Sequence, residues 1–107
     1  MRVMAANDAT ASAEPLPHRI PKVEIYTSRF CPHSMRAKGL LDRKGVMYNE
    51  FFVDSDDANR EVMMKRANGQ KTLPQIFIGG RHIGGFEQLS ELDSYGQLDA
   101  MLNPPPP

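Results

Sequence analysis

The sequence predicts a small α/β domain in which a four-stranded mixed sheet carries helices on its faces. Three observations lead there. The chain has 107 residues and a single cysteine, enough for one core and no disulfide framework. Short β-prone runs alternate with segments of helical period. Two of the runs flank a glycine pair, Gly79-Gly80, which signals an antiparallel hairpin. The first two are separated by a helix-length segment, and strands joined that way lie parallel.

Residues 1–21 are rich in Ala, Ser, Thr and Pro without apolar period, and are expected to form a flexible tail. They lack the apolar stretch of a secretory signal. The folded unit is expected over residues 22–102. Val23, Glu24, Ile25 and Tyr26 form a first strand, rich in β-branched and aromatic side chains. A polar loop, Thr27 to Phe30, leads to Cys31. From Pro32 to Lys44 the pattern is helical, with Ala37, Leu40 and Leu41 on one face. Gly45 stops that helix. Tyr48 to Val53 reads as a second strand. Asp56 or Asp57 caps a second helix running to about Asn68, before Gly69. Gln75 to Ile78 is the third strand and Arg81 to Ile83 a short fourth. Gly84-Gly85 opens a helical region from Phe86 to Tyr95, and Leu98, Met101 and Leu102 fall in a terminal turn. Residues 103–107 form a proline-rich stub, since consecutive prolines cannot continue a helix. No internal repeat is present.

Composition excludes several functions. Basic and acidic residues balance at 13 each, for a formal charge of zero, which gives no reason to expect nucleic acid. No run of about 18 apolar residues exists, so no membrane span is expected. One cysteine fits a reducing compartment and a cytoplasmic location. That thiol is either a buried small hydrophobe or a reactive centre.

Local pattern favours the second. Phe30-Cys31-Pro32-His33-Ser34 has no apolar period. Pro32 suits the first helical position, where its missing N–H has no intrahelical partner. Cys31 then lies over free backbone N–H groups at the positive end of the helix dipole, and both effects favour thiolate. Between Ser28 and Lys44 stand Arg29, Arg36, Lys38, Arg43 and Lys44 against Asp42 alone. His33, two residues on along a starting helix, points away from the sulfur. His82 reads as structural, and Met63-Met64 with Ala67 as core packing. No Cys/His spacing matches a zinc site, so no metal is expected.

Cys31-Pro32-His33-Ser34 after a strand resembles the active-site loop of glutaredoxins, usually Cys-Pro-x-Cys. Ala37-Lys38-Gly39-Leu40-Leu41, Lys44-Gly45-Val46, Val53-Asp54, Thr72-Leu73-Pro74-Gln75-Ile76-Phe77-Ile78-Gly79 and His82-Ile83-Gly84-Gly85-Phe86 follow in the family's order. The resemblance covers residues 23–102 and implies a thioredoxin-like fold. It implies Cys31 as nucleophile and glutathione as co-substrate. Pro74 matches a cis proline facing the sulfur, which would turn the Leu73 backbone toward an extended glutathione, as in strand addition. Gly85, Phe86 and Glu87 match the segment that receives the γ-glutamyl end. Thr72 belongs to the same loop as Leu73, and Gln70 and Lys71, just before it, match positions facing the glycyl carboxylate. His33 would touch glutathione at the rim.

Two departures matter. Where many glutaredoxins carry a lysine before the cysteine, this chain has Ser28-Arg29-Phe30, so Arg29 is expected to supply the charge. Ser34 stands at the resolving-cysteine position and cannot form a disulfide with Cys31. The expected activity is therefore a one-cysteine glutathione-dependent thiol transferase, a monomer acting on glutathionylated proteins or small mixed disulfides. The alternative is a homodimeric [2Fe–2S] carrier using Cys31 and glutathione thiols, whose members usually have Cys-Gly-Phe-Ser and an extra loop. A Cys/His hydrolase is the weakest reading, since no base is placed for it.

Overall fold

The computed structural model describes residues 21–103. All but the inner ends of the expected tail and proline stub lie outside the described residues. The elements are β1 (Val23–Thr27), α1 (Pro32–Arg43), β2 (Asn49–Phe52), α2 (Asp57–Arg66), β3 (Gln75–Ile78), β4 (Arg81–Gly84), α3 (Phe86–Ser94) and α4 (Gln97–Leu102). The strands lie in the order β2-β1-β3-β4. β1 runs parallel to β2 and antiparallel to β3, and β3 runs antiparallel to β4. This is the mixed four-stranded α/β arrangement that the sequence predicts.

Every residue of β3 is buried, as expected of a central strand covered on both faces. Alternation along the strands sends two sets of side chains to opposite faces. Val23, Ile25, Ile76 and Ile78 pack with Ala37, Leu40 and Leu41 of α1, Leu89 of α3, and Leu98 and Leu102 of α4. Tyr26 and Phe77 pack on the other face with Val53, Met63 and Ala67. Among the described residues α2 is the one helix packed on that second face, and aromatic side chains fill much of it. Tyr26 stacks on Phe51 at 5.1 Å and meets Phe77 edge-on at 5.8 Å.

Element ends follow local chemistry. The Asp56 carboxylate caps α2 by accepting from the Ala58 and Asn59 N–H groups at 3.0 and 3.2 Å. α1 stops at Lys44, followed by Gly45 at a φ of +71°, a left-handed exit suited to glycine. Lys44 Nζ reaches Asp93 at 2.6 Å and Asp99 at 3.0 Å, fastening the end of α1 to α3 and α4. The hydrogen bond to Asp93, then that to Asp99, raises the Lys44 pKa, so this tie persists through neutral pH. The second strand is shorter than the sequence predicts, because its pairing with β1 runs only from Asn49 to Phe52. The fourth is one residue longer, with Gly84 opposite Ile76.

Leu41 is fully buried between α1 and the sheet. Leu41→Ala is expected to cost about 2–5 kcal/mol of folding stability, read from the urea midpoint. Val62→Ala, on the exposed face of α2, should change it by less than about 0.5 kcal/mol.

Candidate active site

Strand register brings two loops together. Tyr26 lies opposite Gln75 in the antiparallel β1–β3 pair, so the chain leaving β1 and the chain entering β3 meet at one edge of the sheet. The first loop is held from below. Asp54 accepts from the Arg29 N–H at 3.2 Å and the Ser28 hydroxyl at 3.4 Å. The Cys31 N–H in turn donates to the Ser28 carbonyl at 3.3 Å. The Arg29 N–H bond is the main reason the Asp54 carboxyl sits below its usual pKa. Asp54 thus keeps the charge that orders the loop.

Cys31 is the N-cap of α1, with Pro32 in the first turn and no acidic residue there. Across the gap, the thiol donates to the Leu73 carbonyl at 3.8 Å, and the Leu73–Pro74 bond is cis. Burial pushes the Cys31 pKa up. The Ser34 hydroxyl and the N–H groups of Ser34 and His33 together outweigh it, and the pKa lies below its ordinary value. The Ser34 hydroxyl is fully buried and has no hydrogen-bond partner of good geometry among the described residues. The two facts agree if the hydroxyl is a donor whose natural acceptor is the ionised sulfur rather than the thiol.

Beside the sulfur runs a groove of about 260 Å³. His33, Thr72, Leu73 and Pro74 line it together with Gly85, Phe86 and Glu87. These seven are among the residues that the sequence singles out. Arg29 and Lys71 are not in its lining. The place expected for Arg29 is corrected: its guanidinium lies 5.4 Å over the Phe52 ring, because the Asp54 bonds turn this loop toward β2. Lys71 is exposed at the margin. Two larger grooves, of about 450 and 500 Å³, lie elsewhere on the surface. Cys31 lines none of the three; the smallest is the one that adjoins it, through His33 and through Leu73, whose carbonyl the thiol reaches.

Gln70 and Gln88 also line the groove. The Gln88 side chain accepts from the Gly85 N–H at 2.8 Å, capping α3. A glutamine three residues into a helix is a recognised capping signal, and it was open to sequence reasoning. Gly84 has a φ of +116°, and a Cβ there would sit 3.0 Å from Gln88 Oε1. A Cβ on Gly85 would lie 3.4 Å from the Pro74 carbonyl. Small residues therefore let the start of α3 close against the Pro74 loop, leaving the first N–H groups of α3 beside the groove. Among the described residues no three His, Cys, Asp or Glu side chains gather into a metal-binding set. Cys31 is the only cysteine of the sequence, so an iron–sulfur cluster would draw every thiolate but that one from outside the chain.

A family model described as glutaredoxin matches residues 23–83. The chain belongs to the glutaredoxin family. It is 51% identical over 80 residues to glutaredoxin 3 of Escherichia coli, covering 75% of this chain and 95% of that protein. To a probable glutaredoxin of Synechocystis sp. it is 51% identical over 82 residues, covering 77% and 93%. Among solved structures, a buckwheat glutaredoxin in complex with glutathione matches with a TM-score of 0.70 at 32% identity, covering 77% of this chain and 76% of that one. A solution structure of glutaredoxin from Brucella melitensis matches with a TM-score of 0.68 at 43% identity, covering 78% and 89%. As a glutaredoxin, the protein is a thiol oxidoreductase with a thioredoxin-like fold. No helix among the described residues is long and apolar enough to cross a membrane.

Ser34→Ala removes a donor that lowers the Cys31 pKa, so that pKa should rise. The pH profile of iodoacetamide alkylation should then move to higher pH. Where Cys31 is a thiol, folding stability should not fall, because the lost hydroxyl was buried without a partner; at higher pH, where the thiolate forms, the variant should be the less stable of the two. Gly84→Ala forces a side chain into positive φ against Gln88, and should cost about 1–3 kcal/mol by urea unfolding.

Proposed function

We propose that this glutaredoxin is a glutathione-dependent thiol transferase working through Cys31 alone. The observation that carries the reading is the sulfur at a helix N-terminus, 3.8 Å from the Leu73 carbonyl and beside an open groove. The glutathione complex of the buckwheat relative supports the choice of co-substrate.

In the first step the Cys31 thiolate attacks the glutathione sulfur of a mixed disulfide. The bond between that sulfur and the substrate sulfur breaks, the substrate leaves as a thiolate, and Cys31 is glutathionylated. In the second step a glutathione thiolate attacks the glutathione sulfur of the mixed disulfide on Cys31. Oxidised glutathione leaves and the Cys31 thiolate returns. Electrons balance: one free glutathione thiol is consumed, the substrate disulfide is broken, and the oxidised glutathione that leaves joins that thiol to the glutathione half of the substrate. The hydrogen bonds that lower the Cys31 pKa help it as leaving group in the second step. They also keep it ionised for the first.

In this reading the Leu73 backbone pairs with the extended tripeptide, as a strand added to an edge. The N–H groups opening α3 at Phe86 and Glu87 take the γ-glutamyl carboxylate, and the Glu87 side chain accepts from the ammonium. His33 touches the ligand at the rim, Thr72 and Pro74 shape the wall, and Gly85 leaves room. Lys71 draws the glycyl carboxylate from the margin. Glutathionylated proteins and small mixed disulfides are the substrates, and the protein acts as a monomer in the cytoplasm.

The test is turnover of a small glutathione mixed disulfide, coupled to removal of oxidised glutathione. Wild-type protein should turn over and lose activity on alkylation of Cys31. Cys31→Ser should lower the rate at least a thousandfold, and retained activity would end the reading. Ser34→Cys should add reduction of protein disulfides, measured with insulin, which the wild-type chain should lack.

A further inference from the structure

The opposite face of the sheet holds a polar pair that the mechanism does not use. Gln75 is fully buried, and its Nε2 lies 2.9 Å from the Thr72 carbonyl, 3.1 Å from the Thr72 hydroxyl and 3.2 Å from Gln70 Oε1. The carbonyl can only accept, so the nitrogen of the amide must face it. Gln75 Oε1 then faces His82 Nε2 at 2.7 Å, and His82 must be the donor. The tautomer with the proton on Nε2, or the charged ring, is required. His82 is itself held flat, stacked at 5.0 Å on Phe77, over which the Arg66 guanidinium lies at 4.0 Å.

This chain of contacts ends on one peptide unit. In a trans peptide the C=O and N–H point in opposite directions, and the Thr72–Leu73 bond is not among the cis bonds of the described residues. With the Thr72 carbonyl drawn inward onto Gln75, the Leu73 N–H is aimed outward, on the groove side. Among the described residues it has no backbone hydrogen-bond partner. A free, outward donor beside Cys31 is what an extended peptide backbone needs.

We propose that Gln75 and His82 are positioning residues: His82 orients the Gln75 amide, and the amide locks the Thr72–Leu73 peptide so that the Leu73 N–H faces the glutathione backbone. This deepens the transferase reading and rests on it. The pair touches neither substrate nor sulfur, so it governs glutathione binding rather than thiol reactivity.

The test uses full-length wild-type protein, Gln75→Met, His82→Phe and the double variant. Met keeps the shape of Gln without its hydrogen bonds, and Phe keeps the stack on Phe77 without the donor. Glutathione KM should rise about three- to tenfold in each single variant, as loss of one oriented hydrogen bond implies, with kcat within twofold of wild type. Iodoacetamide alkylation of Cys31, which needs no glutathione, should stay within twofold. Because the two residues act in series, the double variant should be no worse than Gln75→Met alone. If Gln75→Met does not fold by circular dichroism, His82→Phe, at a half-buried position, carries the comparison. An unchanged KM overturns the proposal, as does a parallel loss of alkylation rate or an additive double variant. Wild-type protein without glutathione turnover overturns the transferase reading and this proposal with it, a failure visible before any variant is made.

Discussion

The antiparallel pairing of β1 with β3 is the constraint on which the site depends. Because the two central strands run in opposite directions, the residues that follow Thr27 and those that precede Gln75 are delivered to the same edge. Their register, Tyr26 opposite Gln75, sets how far each loop must reach. The first loop needs only Ser28 to Phe30 to place Cys31 at the start of α1, and Asp54 at the end of β2 pins it. The second loop turns at Leu73–Pro74 with the Leu73 carbonyl toward the sulfur. A parallel β1–β3 pair would carry the two loops to opposite ends of the sheet.

At the sulfur several effects compete, and magnitudes rank them. Partial burial opposes ionisation. The helix dipole favours it by typically about 0.3–1 kcal/mol, and by up to about 2 where partly buried. Hydrogen bonds to a charged group contribute about 1.5–3 kcal/mol each. The Ser34 hydroxyl and the backbone N–H groups of Ser34 and His33 set the direction of the shift against burial, and the dipole acts in the same sense. The buried, unpartnered Ser34 hydroxyl is then a small cost to the thiol state that is returned when the sulfur ionises.

Much of this was legible in the sequence. All four strands and the three main helices follow from period and punctuation, with Gln75 to Ile78 placed residue for residue and Asp56 named as a cap. The seven groove residues were legible through the resemblance to glutaredoxins, whose motifs contain them. What escaped was long-range side-chain geometry. Arg29 is two residues before Cys31 and directly follows Ser28, and the course of the chain there depends on Asp54, 25 residues away. The Gln75–His82 pair escaped for the same reason: β-sheet register, and not sequence proximity, makes them neighbours. Nothing local to His82 says what it holds.

Serine at position 34 changes the logic of the site under the transferase reading. A thiol there would offer an internal sulfur to attack a mixed disulfide on Cys31. The hydroxyl occupies the same buried position, 0% exposed, and donates to the ionised sulfur without competing as a nucleophile. The mixed disulfide then has only an external exit, and the rate of that exit depends on how well the groove aligns a second thiol. Control passes from the helix that carries Cys31 to the loop that carries Leu73. The polar pair behind that loop, Gln75 and His82, is consequently placed where a one-cysteine enzyme has most to gain from rigidity.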